Sequence, residues 1–230
     1  TDPYFDNHRL VRFNEAIGLT VGDLPRLAAI IGGHGVFDHW QPRSLRSYPH
    51  RDTTPVFVAT RRMARLARRA GFTNVEVLTW GERRMVSDSL SITSVPGERI
   101  TGMLTNNYVL STPDVSVFFG SEARSLDPIR DVANKHRLDV AVLPIDGAQL
   151  FRRTLVMDAA TALAAARTLG ARLLIPIHYA QRPVFGVLRC PSGVHDLNGR
   201  ARHMSDIEVN VAATGARTVI RLPGSPGARA

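Results

Sequence analysis

The strongest local constraint in this chain lies at residues 28–40. An apolar run, 28–31, stops at Gly32-Gly33, and His34, Asp38 and His39 follow within six residues. A short apolar run ended by paired glycines reads as a buried strand entering a loop. Imidazole and carboxylate donors crowded at a strand mouth suit a divalent metal such as zinc. The glycines let the backbone turn sharply enough for close neighbours to converge. The competing reading is a polar loop whose histidines and aspartate cap the next helix, and adjacent donors alone do not decide between the two.

The pattern around this loop predicts the remaining elements. Strands are expected at 55–58, 75–79, 90–95, 108–111 and 115–119. Thr60 caps a helix with Met63, Leu66, Ala67 and Ala70 on one face, and Gly71 ends it. Asp127-Pro128 opens a second helix to about His136. Strand 139–143, helix 157–169 and strand 171–177 follow. Ser205 and Glu208 have capping-box spacing and predict a last helix, followed by a strand at 218–222. Strands dominate the first part, and strand alternates with helix in the second. Two sheets with helices outside them satisfy that order within one domain, 1–223, and 224–230 reads as a flexible tail.

Composition narrows the function classes. At 230 residues, 44% apolar and 21% charged, the chain has the make-up of a globular domain with a core. No apolar run approaches the roughly 20 residues of a membrane span. Cys190 is the only cysteine, which excludes an internal disulfide framework and a zinc finger. The chain opens at Thr1 without a visible signal or transit segment, so a cytoplasmic location is expected. A net charge of +9 invites a nucleic-acid reading. However, Lys135 is the only lysine, so the basic residues are arginines of the kind that GC-rich coding supplies. Apart from Arg61, Arg62, Arg65, Arg68 and Arg69 they are scattered, and charge needs a groove or patch to become binding. A small-molecule substrate is expected rather than nucleic acid. Arg182–Met204 carries Phe185, Val187 and Leu188 amid polar residues and reads as a substrate-covering loop or a homo-oligomer contact.

The segment from Gly33 to Trp40 resembles the His-x-His-x-Asp-His motif of the metallo-β-lactamase fold. Further matches fall in order. Thr1-Asp2-Pro3-Tyr4-Phe5 resembles the Asp-Pro segment of the branch with ascorbate-phosphate lactonases and N-acylphosphatidylethanolamine phospholipase D enzymes. Val95-Pro96-Gly97-Glu98-Arg99 is similar to the Val-Pro-x-x-His strand end, and Gly120-Ser121-Glu122 to the Gly-Asp-Thr turn. Ile175-Pro176-Ile177-His178-Tyr179 is similar to the strand that delivers the last histidine. The resemblance covers about residues 1–180 and implies an αββα sandwich of two mixed β-sheets flanked by helices, with the first strands lying before Thr1.

The resemblance also implies two metals, and this chain departs from that pattern. Val36 stands where the second histidine belongs, Arg99 where the strand-end histidine belongs, and Ser121 where the bridging aspartate belongs. Valine cannot ligate, serine is a weak neutral ligand and arginine repels a cation. At about 4 Å that repulsion is about 4 kcal/mol in a partly screened site. A dinuclear centre is therefore not expected. Asp38, His39 and His178 remain as a single metal site, for zinc or manganese, and Glu122 stands in for the aspartate if the turn shifts by one residue. The rival is a degenerate, metal-free site in which Arg99 takes over the charge role and faces Asp38 or an anion. The catalytic candidates are Asp38, His178, Arg99 and Tyr179, the last as an oxyanion donor. The substrate-binding candidates are His34, Arg99, Ser121, Glu122 and Asp146. The functional expectation is a fold member acting on or binding a small, anionic metabolite, as in specialised metabolism. The alternative is a single-metal hydrolase of an ester, lactone or phosphodiester. A nucleic-acid-processing enzyme is a third, weaker reading.

Overall fold

The computed structural model describes residues 1–5, 11–15, 17–100, 102–183, 188–216 and 219. Of the expected elements, the 218–222 strand (Val219 apart) and the 224–230 tail lie outside these residues, as do Phe185 and Val187. Two sheets face each other. The first is a parallel three-stranded sheet of Ile30–Gly32, Val56–Val58 and Val75–Val77. The second has seven strands in the order Glu208–Val209, Leu173–Ile177, Val140–Pro144, Ser116–Phe119, Met103–Ser111, Ser91–Ile100 and Arg83–Met85. Its first four strands run parallel to one another and the rest pair antiparallel.

Strand periodicity makes the layers. In the first sheet Ile30, Val56 and Val58 point one way, into a core closed by helix Arg61–Arg69 (α1) through Met63, Ala64 and Ala67. Ile31 and Phe57 point the other way and meet Ile92, Tyr108 and Phe119 of the second sheet. The far face of the second sheet, with Phe118, Ala141 and Leu143, packs on helices Asp127–Ala133 (α2), Ala159–Thr168 (α3) and Val194–Ala201 (α4). Alternate residues of one strand thus serve different layers. The result is the expected αββα order, although the first sheet is purely parallel among the described residues.

Thr60 caps α1 as the sequence suggests, Asp158 adds a cap to α3 that the pattern does not point out, and Asp127 lies inside α2 rather than capping it. The Thr60 hydroxyl accepts from the Met63 amide, and the Asp158 carboxylate accepts from the Thr161 amide at 2.8 Å. Two further expectations fail. Ser205 does not open a helix; Glu208–Val209 pairs parallel with Leu173–Leu174 at the sheet edge, and Ile207 is buried. Sheet pairing and burial outweigh a local cap signal. Part of the expected 182–204 loop is instead α4. Its Leu197 is fully buried and Arg200 pairs with Asp196 at 2.9 Å. Val194, Leu197 and Ala201, at i, i+3 and i+7, carry its apolar face.

Candidate metal centre

Every donor in the centre sits just past the C-terminal end of a parallel strand. Strand Ile30–Gly32 leads to His34, Asp38 and His39. Strand Ser116–Phe119 leads to Ser121 and Glu122, Val140–Pro144 to Asp146, and Leu173–Ile177 to His178. Parallel strands aligned in register bring their following loops to the same edge, where open sheets hold their ligands. The loop geometry requires Gly33, because a Cβ there would come within 2.5 Å of Ser121 Cβ and 2.6 Å of the Asn106 carbonyl. Trp40 anchors the other end of the loop, buried and donating from its indole nitrogen to the Met63 carbonyl at 3.1 Å.

The ligand-type atoms of His34, His39 and Glu122 lie within 4.8 Å of one another, and so do those of Asp38, His39 and His178. All are buried except Asp38 and His178, which are partly exposed. Glu122 Oε2 lies 2.6 Å from His39 Nε2 and 3.3 Å from His34 Nδ1. The contacts are close but misaligned for hydrogen bonds. Both His34 nitrogens, His39 Nε2, Glu122 Oε2 and His178 Nε2 are buried with no hydrogen-bond partner among the described residues. Buried polar atoms are ordinarily paired, so this convergence of orphans fits an ion. A tetrahedral zinc with bonds of about 2.0–2.1 Å has edges of about 3.3 Å. The His34–Glu122 separation of 3.3 Å matches it, and the 2.6 Å His39–Glu122 contact is a tighter ion pair.

Two carboxylates brace this cluster from behind. Asp2 Oδ2 is 3.1 Å from His39 Nδ1, and Asp146 Oδ2 is 2.9 Å from His178 Nδ1. A carboxylate only accepts, so Nδ1 carries the proton in each ring and Nε2 faces the cluster. Asp2 is itself fixed: its Oδ1 accepts from the Gly33 amide at 2.7 Å, its amide donates to the Ile31 carbonyl at 2.8 Å, and the Ser121 hydroxyl donates to its Oδ2. Asp146 is buried and its Oδ1 accepts from the Ala148 amide at 3.1 Å. His178 has a φ of 61°, a left-handed conformation unusual for a residue with a side chain.

The charges follow from these contacts. Burial opposes a charge on His39, yet the Glu122 and Asp2 carboxylates hold its pKa well above the usual histidine value. Burial likewise opposes ionised Glu122, and His39 and His34 hold its pKa well below the carboxylate range. Burial lowers and Asp146 raises the His178 pKa, with a net rise.

Among the residues singled out from sequence, the fold gathers His34, Asp38, His39, Glu122, Asp146 and His178. Glu122, one residue beyond Ser121, is the acid that meets His34 and His39. Ser121 is buried but spends its hydroxyl on Asp2. Arg99 does not enter the cleft. Its side chain is exposed and donates to the Gly102 carbonyl at 3.1 Å, because an irregular register between Pro96 and Arg99 turns Glu98 inward instead. Buried Glu98 then pairs with Arg124 at 2.6 Å. Tyr179 packs against the α2–α4 core, and its hydroxyl reaches the Ala212 carbonyl at 3.5 Å. Sequence reasoning missed the bracing role of Asp2, which lies remote from the motif. Cys190 lies beside the cluster, where burial and then the Asp146 and Asp38 carboxylates push its thiol pKa up to about 12.

Comparison with known proteins gives three results. A model of the beta-lactamase superfamily domain matches residues 1–179. The chain is 30% identical over 95 residues to a UPF0173 metal-dependent hydrolase of Methanosphaerula palustris, a match spanning 41% of each protein. In fold it is similar to a possible metal-dependent hydrolase from Veillonella parvula, with a TM-score of 0.75 at 15% identity over 94% of this chain and 87% of that one. It is similar as well to an isothiocyanate hydrolase from Delia radicum gut bacteria, with a TM-score of 0.74 at 17% identity over 91% and 83%. Among the described residues no helix is long and apolar enough to cross a membrane.

Proposed function

The chain belongs to the beta-lactamase superfamily domain family, and on that premise we propose that it is a hydrolase of small molecules that works with a single divalent ion. The observation that carries this reading is the convergence of His34, His39, Glu122 and His178, with His34 Nε2 and His178 Nε2 buried and without any partner among the described residues. His34, His39 and Glu122, with Asp38 and His178 on the other side of His39, would hold the ion. When bound, zinc or manganese supplies a Lewis acid that polarises the scissile group and acidifies water. One ion is favoured over two because both three-residue groups need His39, whose Nδ1 is occupied by Asp2. Val36 offers no donor, and Ser121 is engaged elsewhere.

The chain's own residues do the rest. Asp2 and Asp146 fix the tautomers and ring orientations of His39 and His178. Asp38, partly exposed beside them, is placed to accept a proton from an attacking water. The exposed position of Arg99 removes the ground for an anion preference in the cleft, so an ester or lactone is as suitable a substrate as a phosphodiester. The related UPF0173 hydrolase and the isothiocyanate hydrolase support the hydrolytic class.

A second, metal-free reading rests on the 2.6 Å His39–Glu122 contact, which closes the cluster on itself. Protein purified without chelator decides between them. About one zinc or manganese per chain by mass spectrometry, with chelator-sensitive cleavage of a lactone, ester or phosphodiester panel, is expected. Two tight equivalents would refute the single-ion site. No metal and chelator-insensitive behaviour would favour the metal-free reading.

A further inference from the structure

Residues 41–71 carry eight arginines and one acid, Asp52. Helix α1 buries Met63, Ala64 and Ala67, and exposes Arg61, Arg62, Arg65, Arg68 and Arg69. Elsewhere several arginines are paired: Arg84 with Glu76, Arg130 with Asp127, Arg167 with Asp206, Arg200 with Asp196. On α1, Arg61, Arg62, Arg65 and Arg69 have no hydrogen-bond or ion-pair partner among the described residues, and Arg68 donates only to the Val75 carbonyl at 2.7 Å. Like charges three and four residues apart destabilise a helix, and here no acid offsets them. GC-rich coding explains arginine in place of lysine; it does not explain an acid-free face.

The face carries two shallow, open grooves. One cavity of 660 Å³ is lined by Arg61, Arg65, Arg68 and Arg69 with Ala64 and Val77. A second, of 510 Å³, sets Arg43, Arg46 and Arg69 around Phe37, Pro42 and Leu66. Arg69 belongs to both, so the two form one strip running from α1 to the Pro42–Ser47 turn. Arg61, Arg65 and Arg69 recur about every 6 Å along the helix axis.

We propose that this strip binds single-stranded nucleic acid. Guanidinium groups take phosphates in forked hydrogen bonds. The apolar linings and the guanidinium planes offer faces for unpaired bases to stack on. An acidic peptide would leave the apolar linings unused. This inference is independent of the metal centre, since it needs none of the metal-site side chains.

The test is fluorescence anisotropy with labelled oligouridylate and oligothymidylate across a salt series. The triple variant Arg61→Gln, Arg65→Gln, Arg69→Gln is compared with a charge-matched control, Arg130→Gln, Arg137→Gln, Arg200→Gln. Each lost phosphate contact lowers the salt slope by about 0.7, or roughly fivefold in affinity at about 0.1 M salt, so the triple variant loses on the order of 100-fold. Arg65→Gln alone, expected at about fivefold, carries the test if the triple variant melts differently from the parent. Tighter binding of one oligomer identifies the strand as RNA or DNA. Absence of binding to both at low salt, equal weakening in the control, or binding to phosphatidylserine vesicles with none to the oligomers would overturn the proposal.

Discussion

Replacing Glu122 by Gln tests the centre of the site most directly. The Glu122 side chain is 7% exposed and bridges His39 at 2.6 Å and His34 at 3.3 Å. Two unit charges 2.6 Å apart attract by about 6 kcal/mol at an effective dielectric of about 20. Much of that attraction offsets the desolvation of both groups, and losing one partner of a buried pair costs about 3–5 kcal/mol net. The pH dependence gives a second signature. His39 has a raised pKa in the folded state, so its stabilising contribution is full below the unfolded value and is lost as pH rises through the folded one. Glu122 has a depressed pKa, so its contribution is present above the unfolded carboxylate value and is lost as pH falls through the folded one. Urea unfolding in chelator should therefore show the parent most stable between the unfolded Glu and His values, with a decline on each side. Glu122→Gln should lower the maximum and shrink both declines, with the remaining alkaline decline supplied by Asp2 on His39 and Asp146 on His178. Zinc titration should show a fall of more than about 100-fold in affinity, beyond the range for outer-shell partners. A variant with the parent's stability, pH profile and zinc affinity would refute the placement of Glu122 at the centre.

Three further outcomes follow from the same geometry. Asp146→Asn keeps an acceptor for His178 Nδ1 but removes its charge, and isothermal titration should show zinc affinity falling about 10–100-fold. Ser121→Asp, which restores the family residue by sequence, would set a second carboxylate against Asp2 in a fully buried position. It should destabilise the metal-free protein by about 1–3 kcal/mol in urea unfolding, and a stabilised variant would show the turn to be misplaced. Arg99→Ala should change stability by no more than about 0.5 kcal/mol, since its side chain is exposed and bonded to a single carbonyl; a loss of several kcal/mol would show that it does pair with a buried carboxylate.

The sequence by itself determined the local and periodic features. The uninterrupted apolar runs at 28–31 and 55–58 dictated strands with two apolar faces, and Thr60 and Gly71 marked helix ends through bonds made within a few residues. The His34–His39 segment announced its donors because they are adjacent in the chain. Side-chain direction over long sequence separations was decided only by the tertiary structure. One irregular register after Pro96 exchanged Arg99 for Glu98 on the inner face, since side chains alternate along a strand and a shift of one residue reverses them. The turn after Phe119 brought Glu122 rather than Ser121 to His39, and packing of the N-terminal segment on strand Ile30–Gly32 set Asp2 behind that histidine. Likewise the Ser205–Glu208 cap signal yielded to the edge of a sheet whose partner strand lies more than thirty residues earlier. Local bonds can be read from neighbouring letters, whereas these contacts depend on which buried surfaces meet, and that is settled by the packing of the whole sandwich.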